Sequence, residues 1–267
     1  MSPTRPPHPS APAPFAPDTA LPCAVVPAVN VEARRGSVRP SLLILHYTGM
    51  SSAAKAVEWL ACAQSRVSCH YVIGNDGLIT QLVPESQRAW HAGVSQWGGN
   101  TDINSASIGI EIQNPGHEHG YPDFSPAQMA GVAALSRDII ARHALSPQSV
   151  LAHSDVAPQR KIDPGEKFDW RWLHAQGVGH WVPPQPLDPG DPGFEPGYHG
   201  PDILAAQTLL RTYGYGLEQT GTLDPPTAHT LRAFQLHFRP ALITSRLDRS
   251  TLATLERLLA ALPSAET

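Results

Sequence analysis

Cysteine is scarce: the 267 residues contain three, Cys23, Cys62 and Cys69. Three cannot build a disulfide framework or a thiolate metal site; Cys62 and Cys69 could pair, but two buried free thiols are the expected state. Positive charge is not in excess either. Nineteen Lys and Arg face 23 Asp and Glu, a net charge of -4, which excludes an electrostatic nucleic-acid binder. Long hydrophobic runs are missing, and the longest strongly apolar one, Leu42 to Leu45, is far too short to span a membrane. Residues 1–22 show no basic segment followed by an apolar one, so no secretory signal is expected in the sequence as written. They carry eight prolines instead, and a disordered or extended lead-in is expected over 1–30.

What is present suffices for two domains. With 41% hydrophobic and 16% charged residues the chain can bury a core. Ser41–Gly49 reads as a buried strand that delivers His46 to a cleft at its end. Ser51 or Ser52 caps a helix to about Gln64, and strands at 69–73 and 78–83 flank the hairpin signal Gly74-Asn-Asp-Gly77. Ser107–Gln113 alternates, with Ile108, Ile110 and Ile112 on one face and Glu111 on the other. Ser125-Pro-Ala-Gln128 opens the longest helix, to about His143, and 149–153 is a last strand. These alternations predict an α/β domain over 31–181, with a central mixed β-sheet flanked by helices. The Pro/Gly run at 182–197 reads as a linker, and 198–267 as a small all-α domain of three helices, two of them opened by Asp224 and Asp248.

The chemistry concentrates around Leu151–Gly165. His153 and Asp163 there, with His46 on a neighbouring strand end, have the donor types and number of a hydrolytic zinc site. Glu111 has two readings, a general acid/base among apolar neighbours or a solvated strand residue. Lys161 reads as an oxyanion stabiliser or a surface lysine. His70 is expected to be buried and hydrogen-bonded, without direct ligation, and His117 and His119 to be solvated. Trp90 and Trp97 are either core aromatics or sugar platforms.

The pieces Ile44-Leu-His46-Tyr-Thr48, Ser68-Cys-His70-Tyr-Val72, Ala89-Trp-His-Ala-Gly93, Ile108-Gly-Ile-Glu111 and Ala152-His153-Ser-Asp155 through Lys161-Ile-Asp163-Pro-Gly165 run in one order. In this they resemble the zinc-dependent N-acetylmuramoyl-L-alanine amidases of the amidase type 2 family, related to peptidoglycan recognition proteins. The resemblance implies one Zn²⁺ on His46, His153 and Asp163, with Glu111 and Lys161 as the catalytic pair. It also implies a substrate groove near Trp90, His91, Ala92 and Gly93. Cys69 departs from the small residue expected there. Asp202-Ile203, Gln207-Thr-Leu-Leu210, Gly221-Thr-Leu-Asp224 and Phe234-Gln235 resemble a three-helix peptidoglycan-binding module. The order of amidase, linker and module is similar to that of the lipoprotein-type amidases of Gram-negative bacteria. Peptidoglycan or its muropeptides are therefore the expected partners, the cell envelope the expected location and a monomer the expected state. A peptidoglycan-recognition protein that binds without cleaving, and a cytoplasmic amidase of soluble anhydro-muropeptides, are the rival readings.

Overall fold

Among the residues that the computed structural model describes, 13–36 and 39–262, the β-rich runs assemble into one six-stranded mixed sheet. Its strands are β1 (Cys23–Val25), β3 (Leu42–Tyr47), β4 (Tyr71–Ile73), β5 (Ile79–Gln81), β7 (Ser107–Ile112) and β8 (Val150–Ala152), in the order β1-β5-β4-β7-β3-β8. Only β4 and β5 pair antiparallel, across the predicted Gly74–Gly77 turn, where Gly77 has φ +80°. A separate antiparallel pair joins β2 (Val31–Ala33) to β6 (Gln87–Ala89).

Helices start where the caps are. Ser52 accepts from the Lys55 N–H and opens α1 (Ala53–Ala61). Asp102 opens α2 (Ile103–Ala106), and Ser125 accepts from the Gln128 N–H to open α3 (Pro126–His143). The short α4 (His153–Val156) follows β8 directly, and Asp169 caps α5 (Trp170–Ala175). Three further helices, α6 (Pro201–Tyr213), α7 (Pro225–Phe238) and α8 (Arg249–Ala260), form the C-terminal module.

Strand alternation divides the core. Leu43, Leu45, Ile108, Ile110 and Ile112 pack on one face against Val132, Leu135 and Ile139 of α3 and Leu173 of α5. Leu42, Ile44 and Leu151 point to the other face. There they join one buried cluster with Ile203, Leu210, Leu231, Phe234, Leu255 and Leu258 of the C-terminal helices. The module thus covers part of the sheet face on which His46, two residues after Ile44, also lies.

Two expectations change. The lead-in at 1–12 lies outside the described residues, but from Ala13 onward the chain is described, and it is docked at Asp18. Asp18 accepts from the Glu85 N–H and from Gln81, and β1 adds a parallel edge strand beside β5. Three residues between Pro22 and Pro27 suffice for this, so the prolines bracket the strand without interrupting it. Trp97 is a core aromatic: it packs edge-on against Tyr213 and Tyr215 and closes over Gly214, where a Cβ would have no room. Residues 182–197 contain no helix or strand, yet they are pinned to the module, as by the Gln185 N–H to Thr254 and Ser250 to the Gln185 carbonyl.

Candidate metal centre and its pocket

Parallel register builds the site. His46 stands opposite Glu111 across β3 and β7, while Leu45 pairs with Ala152, so His153 emerges one step beyond the last paired residue. The chain then turns through α4, and the Ser154 N–H donates to the carbonyl of Asp163, which folds the loop back on its own start. The carboxyl ends of three adjacent parallel strands thus carry the chemistry, where a cleft forms in open α/β sheets.

Three buried ligand atoms converge there. His46 Nδ1 lies 2.8 Å from His153 Nδ1, His153 Nδ1 lies 3.0 Å from Asp163 Oδ2, and His46 Nδ1 lies 3.4 Å from the same oxygen. A tetrahedral ion with ligands at about 2.0–2.1 Å holds its ligand atoms about 3.3 Å apart.

Hydrogen bonding fixes which nitrogens are bare. His153 Nε2 faces the Ala92 carbonyl at 3.3 Å, and a carbonyl only accepts, so this nitrogen carries the proton. For His46 the chain of hydrogen bonds runs through two residues. The Ser107 hydroxyl donates to the Ile103 carbonyl (2.6 Å), so it accepts from His91 Nε2 (3.1 Å). His91 Nδ1 then accepts from His46 Nε2 (3.0 Å), leaving His46 Nδ1 unprotonated. Burial, with the neighbouring His153 imidazole, lowers the His46 pKa to about 4, so the neutral ring prevails at pH 7. Burial also works against an ionised Asp163, but the imidazoles bonded to it outweigh this and hold its carboxyl well below the usual range. Two bare nitrogens and an anionic oxygen aimed at one point repel each other unless a cation lies between them. The donor set fits a divalent ion such as zinc, with three protein ligands and a fourth position open.

The centre lies in a pocket of about 630 Å³. Trp90, His91, Glu111, His153, Lys161 and Asp163 line it. Glu111 Oε2 is buried with no partner among the described residues, and burial, then the Asp163 charge, raise its pKa well above 4.5. Lys161 works against that rise.

The 90–93 segment divides. Trp90 and His91 line the pocket, whereas Ala92 and Gly93 do not. Ala92 is fully buried and gives its carbonyl to His153, and Gly93, at φ +57°, leaves room for the Arg160 guanidinium. His91 packs over Gly109, where a Cβ would meet the ring at 2.6 Å. His70 is buried, accepting from the Gly109 N–H and facing the Gln87 carbonyl, with its pKa lowered to about 3 by burial and then by Arg34. His117 is not simply solvated. It stacks on Tyr121, touches the Tyr47 hydroxyl and pairs with Glu166, and it lines the pocket. Cys69 is buried among aliphatic residues, and burial raises its thiol well above the usual value.

Sequence reasoning missed the support from the C-terminal module. Asp155, fully buried in α4, reaches back to the Ala152 N–H (2.8 Å). It also accepts from the Tyr215 hydroxyl (2.7 Å) and from His237 Nδ1 (2.7 Å), both across the domain boundary. His237 is sandwiched between Trp170 and Phe238. Asp155 stood in the His-Ser-Asp motif and His237 in the α7 stretch, but nothing in one sequence pairs residues 82 positions apart.

Two family profiles match the chain: N-acetylmuramoyl-L-alanine amidase over residues 36–166, and a peptidoglycan binding domain over 199–255. Among curated proteins, N-acetylmuramoyl-L-alanine amidase AmiD of Escherichia coli K12 is 38% identical over 244 residues, covering 85% of each chain. The 1,6-anhydro-N-acetylmuramyl-L-alanine amidase AmpD of Salmonella typhimurium is 35% identical over 167 residues, covering 56% of this chain and 87% of its own. Among solved structures, E. coli AmiD in complex with anhydro-N-acetylmuramic acid-L-Ala-D-γ-Glu-L-Lys superposes with a TM-score of 0.71 at 36% identity, covering 86% of this chain and 92% of that one. AmpDh3 of Pseudomonas aeruginosa gives 0.71 at 33% identity, with 85% and 93% covered.

Proposed function

The chain belongs to the N-acetylmuramoyl-L-alanine amidase family, and on that premise we propose that it hydrolyses the amide between N-acetylmuramic acid and L-alanine in peptidoglycan or its fragments. The observation that carries the reading is the convergence of His46 Nδ1, His153 Nδ1 and Asp163 Oδ2 beside the unpartnered Glu111 carboxylate. A recognition protein that only binds has no use for three ligands with an open fourth position, and the relatives are named as amidases.

A zinc ion held by these three residues would polarise the scissile carbonyl and acidify a water molecule. The remaining roles fall to the chain itself. Glu111, with its raised pKa, accepts the proton of the attacking water and returns it to the leaving amine of L-alanine. Lys161 faces the pocket and offers its ammonium to the negative charge that develops on the carbonyl oxygen. Trp90 provides an apolar wall for the sugar or the peptide. The substrate class is that of the ligand in the AmiD complex, a muramyl sugar bearing L-Ala and γ-linked D-Glu. A substrate of this kind and the peptidoglycan-binding match support work in the cell envelope, and among the described residues no helix is long and apolar enough to cross a membrane.

Stoichiometric zinc, with activity lost on chelation and regained on adding zinc back, is the expected result. Full activity in enzyme shown by elemental analysis to be metal-free would refute the metal assignment.

A further inference from the structure

The catalytic pocket is not built from the catalytic domain alone. Arg232, in the middle of α7 in the C-terminal module, lines it together with Gln159, Arg160, Lys161 and Ile162. The same helix is held to the metal-ligand segment by His237 on Asp155 and by the apolar cluster shared with the sheet. Arg232 is therefore carried into the pocket by an element that is itself fixed.

Among the described residues Arg232 forms no ion pair, and its Nε is buried without a hydrogen-bond partner. The pocket's acidic groups do not pair with it: Asp163 is committed to the two imidazoles, Glu118 is exposed and Glu111 is unpartnered. Of the other cations that line the pocket, one is bonded and one has a separate proposed role. Arg160 donates to the carbonyls of Val94 and Ala92, and Lys161 is the neighbour of the metal ligands. The buried Nε has given up water without gaining a partner, and an anion reaching the guanidinium from the pocket would supply one.

We propose that Arg232 is a specificity residue that pairs with a carboxylate of the stem peptide, namely the free α-carboxylate of the γ-linked D-glutamate. The inference rests on the amidase reading. γ-Linkage leaves that α-carboxylate free, and it belongs to the residue directly after L-alanine, about 7 Å along an extended peptide from the scissile amide. A planar fork is the side chain suited to a carboxylate at a fixed position. The module then selects the substrate as well as carrying it.

The test is a cycle of two enzymes and two substrates. Wild type and Arg232→Gln are assayed on a muramyl-L-Ala-γ-D-Glu peptide and on its α-carboxamide analogue, with Arg232→Lys as the charge-retaining control. Wild type is expected to favour the carboxylate about tenfold to hundredfold in kcat/KM. Arg232→Gln should lose that preference, chiefly through KM, while cleaving the carboxamide as wild type does, and Arg232→Lys should restore part of it. Equal losses on both substrates, or an undiminished preference in Arg232→Gln, would overturn the proposal. If wild type releases peptide from neither compound, the amidase reading falls first and takes this inference with it.

Discussion

At the scale of single residues, the site is a problem in placing protons. Two imidazoles can present bare Nδ1 atoms only if something holds their Nε2 protons elsewhere. The Ala92 carbonyl does so for His153, and the chain His91, Ser107, Ile103 carbonyl does so for His46. Replacing His91 by alanine should therefore weaken metal binding about 10–100-fold. Competition against a chelator reads this directly, and unchanged affinity would show that the relay is idle. Glu111 acts differently. Glu111→Ala should keep its metal while kcat falls about 10²–10⁴-fold, and near-normal muropeptide cleavage by that variant would remove Glu111 from the chemistry.

At the scale of elements, the end of α3 is tied to the body by one acid. Glu85, nearly fully buried, accepts from Tyr71, Arg142 and His143. Burial opposes its ionisation, but these bonds outweigh the penalty and lower its pKa from 4.5 to about 2. Its stabilisation is fully present above 4.5 and is lost as pH falls toward 2, at most about 3 kcal/mol by linkage. Urea midpoints between about pH 6 and pH 3 should fall more steeply in wild type than in Glu85→Gln, and parallel slopes would contradict this. Much at this scale was legible in the sequence. Ser52, Ser125, Asp224 and Asp248 each cap a helix because their side chains reach N–H groups only three residues away. The alternation in β7 and the hairpin glycines are equally local. β1 was missed because prolines close around it, and β2 and β6 because Val-Glu-Ala and Gln-Arg-Ala carry no apolar run; each depends on a partner far along the chain. His46, His153 and Asp163, which the structure brings together, were each legible through motifs, but the support behind them was not. Ala92 acts through its backbone carbonyl, and His91 through a ring orientation that a sequence does not reveal.

At the scale of the molecule, the C-terminal module shares a core with the sheet face that ends in the candidate metal ligands. It was expected to hang on a linker, but Tyr215 and His237 bind Asp155, two residues from His153. Thermal unfolding should accordingly be a single transition for both parts, and two well-separated transitions in calorimetry would contradict the shared core. Tyr215→Phe leaves a buried carboxylate oxygen short of a donor and should cost about 1–3 kcal/mol of stability in a denaturant titration. On the proposed reading all of this serves one act, cleavage of the bond between sugar and peptide at the candidate centre of His46, His153 and Asp163. The most direct test is mass spectrometry of a purified muropeptide incubated with the zinc-loaded protein. The expected products are a peptide with a free L-alanine amine and a muramyl sugar with a free lactyl carboxylate, both formed about 10²–10⁴-fold more slowly by Glu111→Ala. An intact muropeptide, or scission within the peptide or the glycan, would contradict that reading.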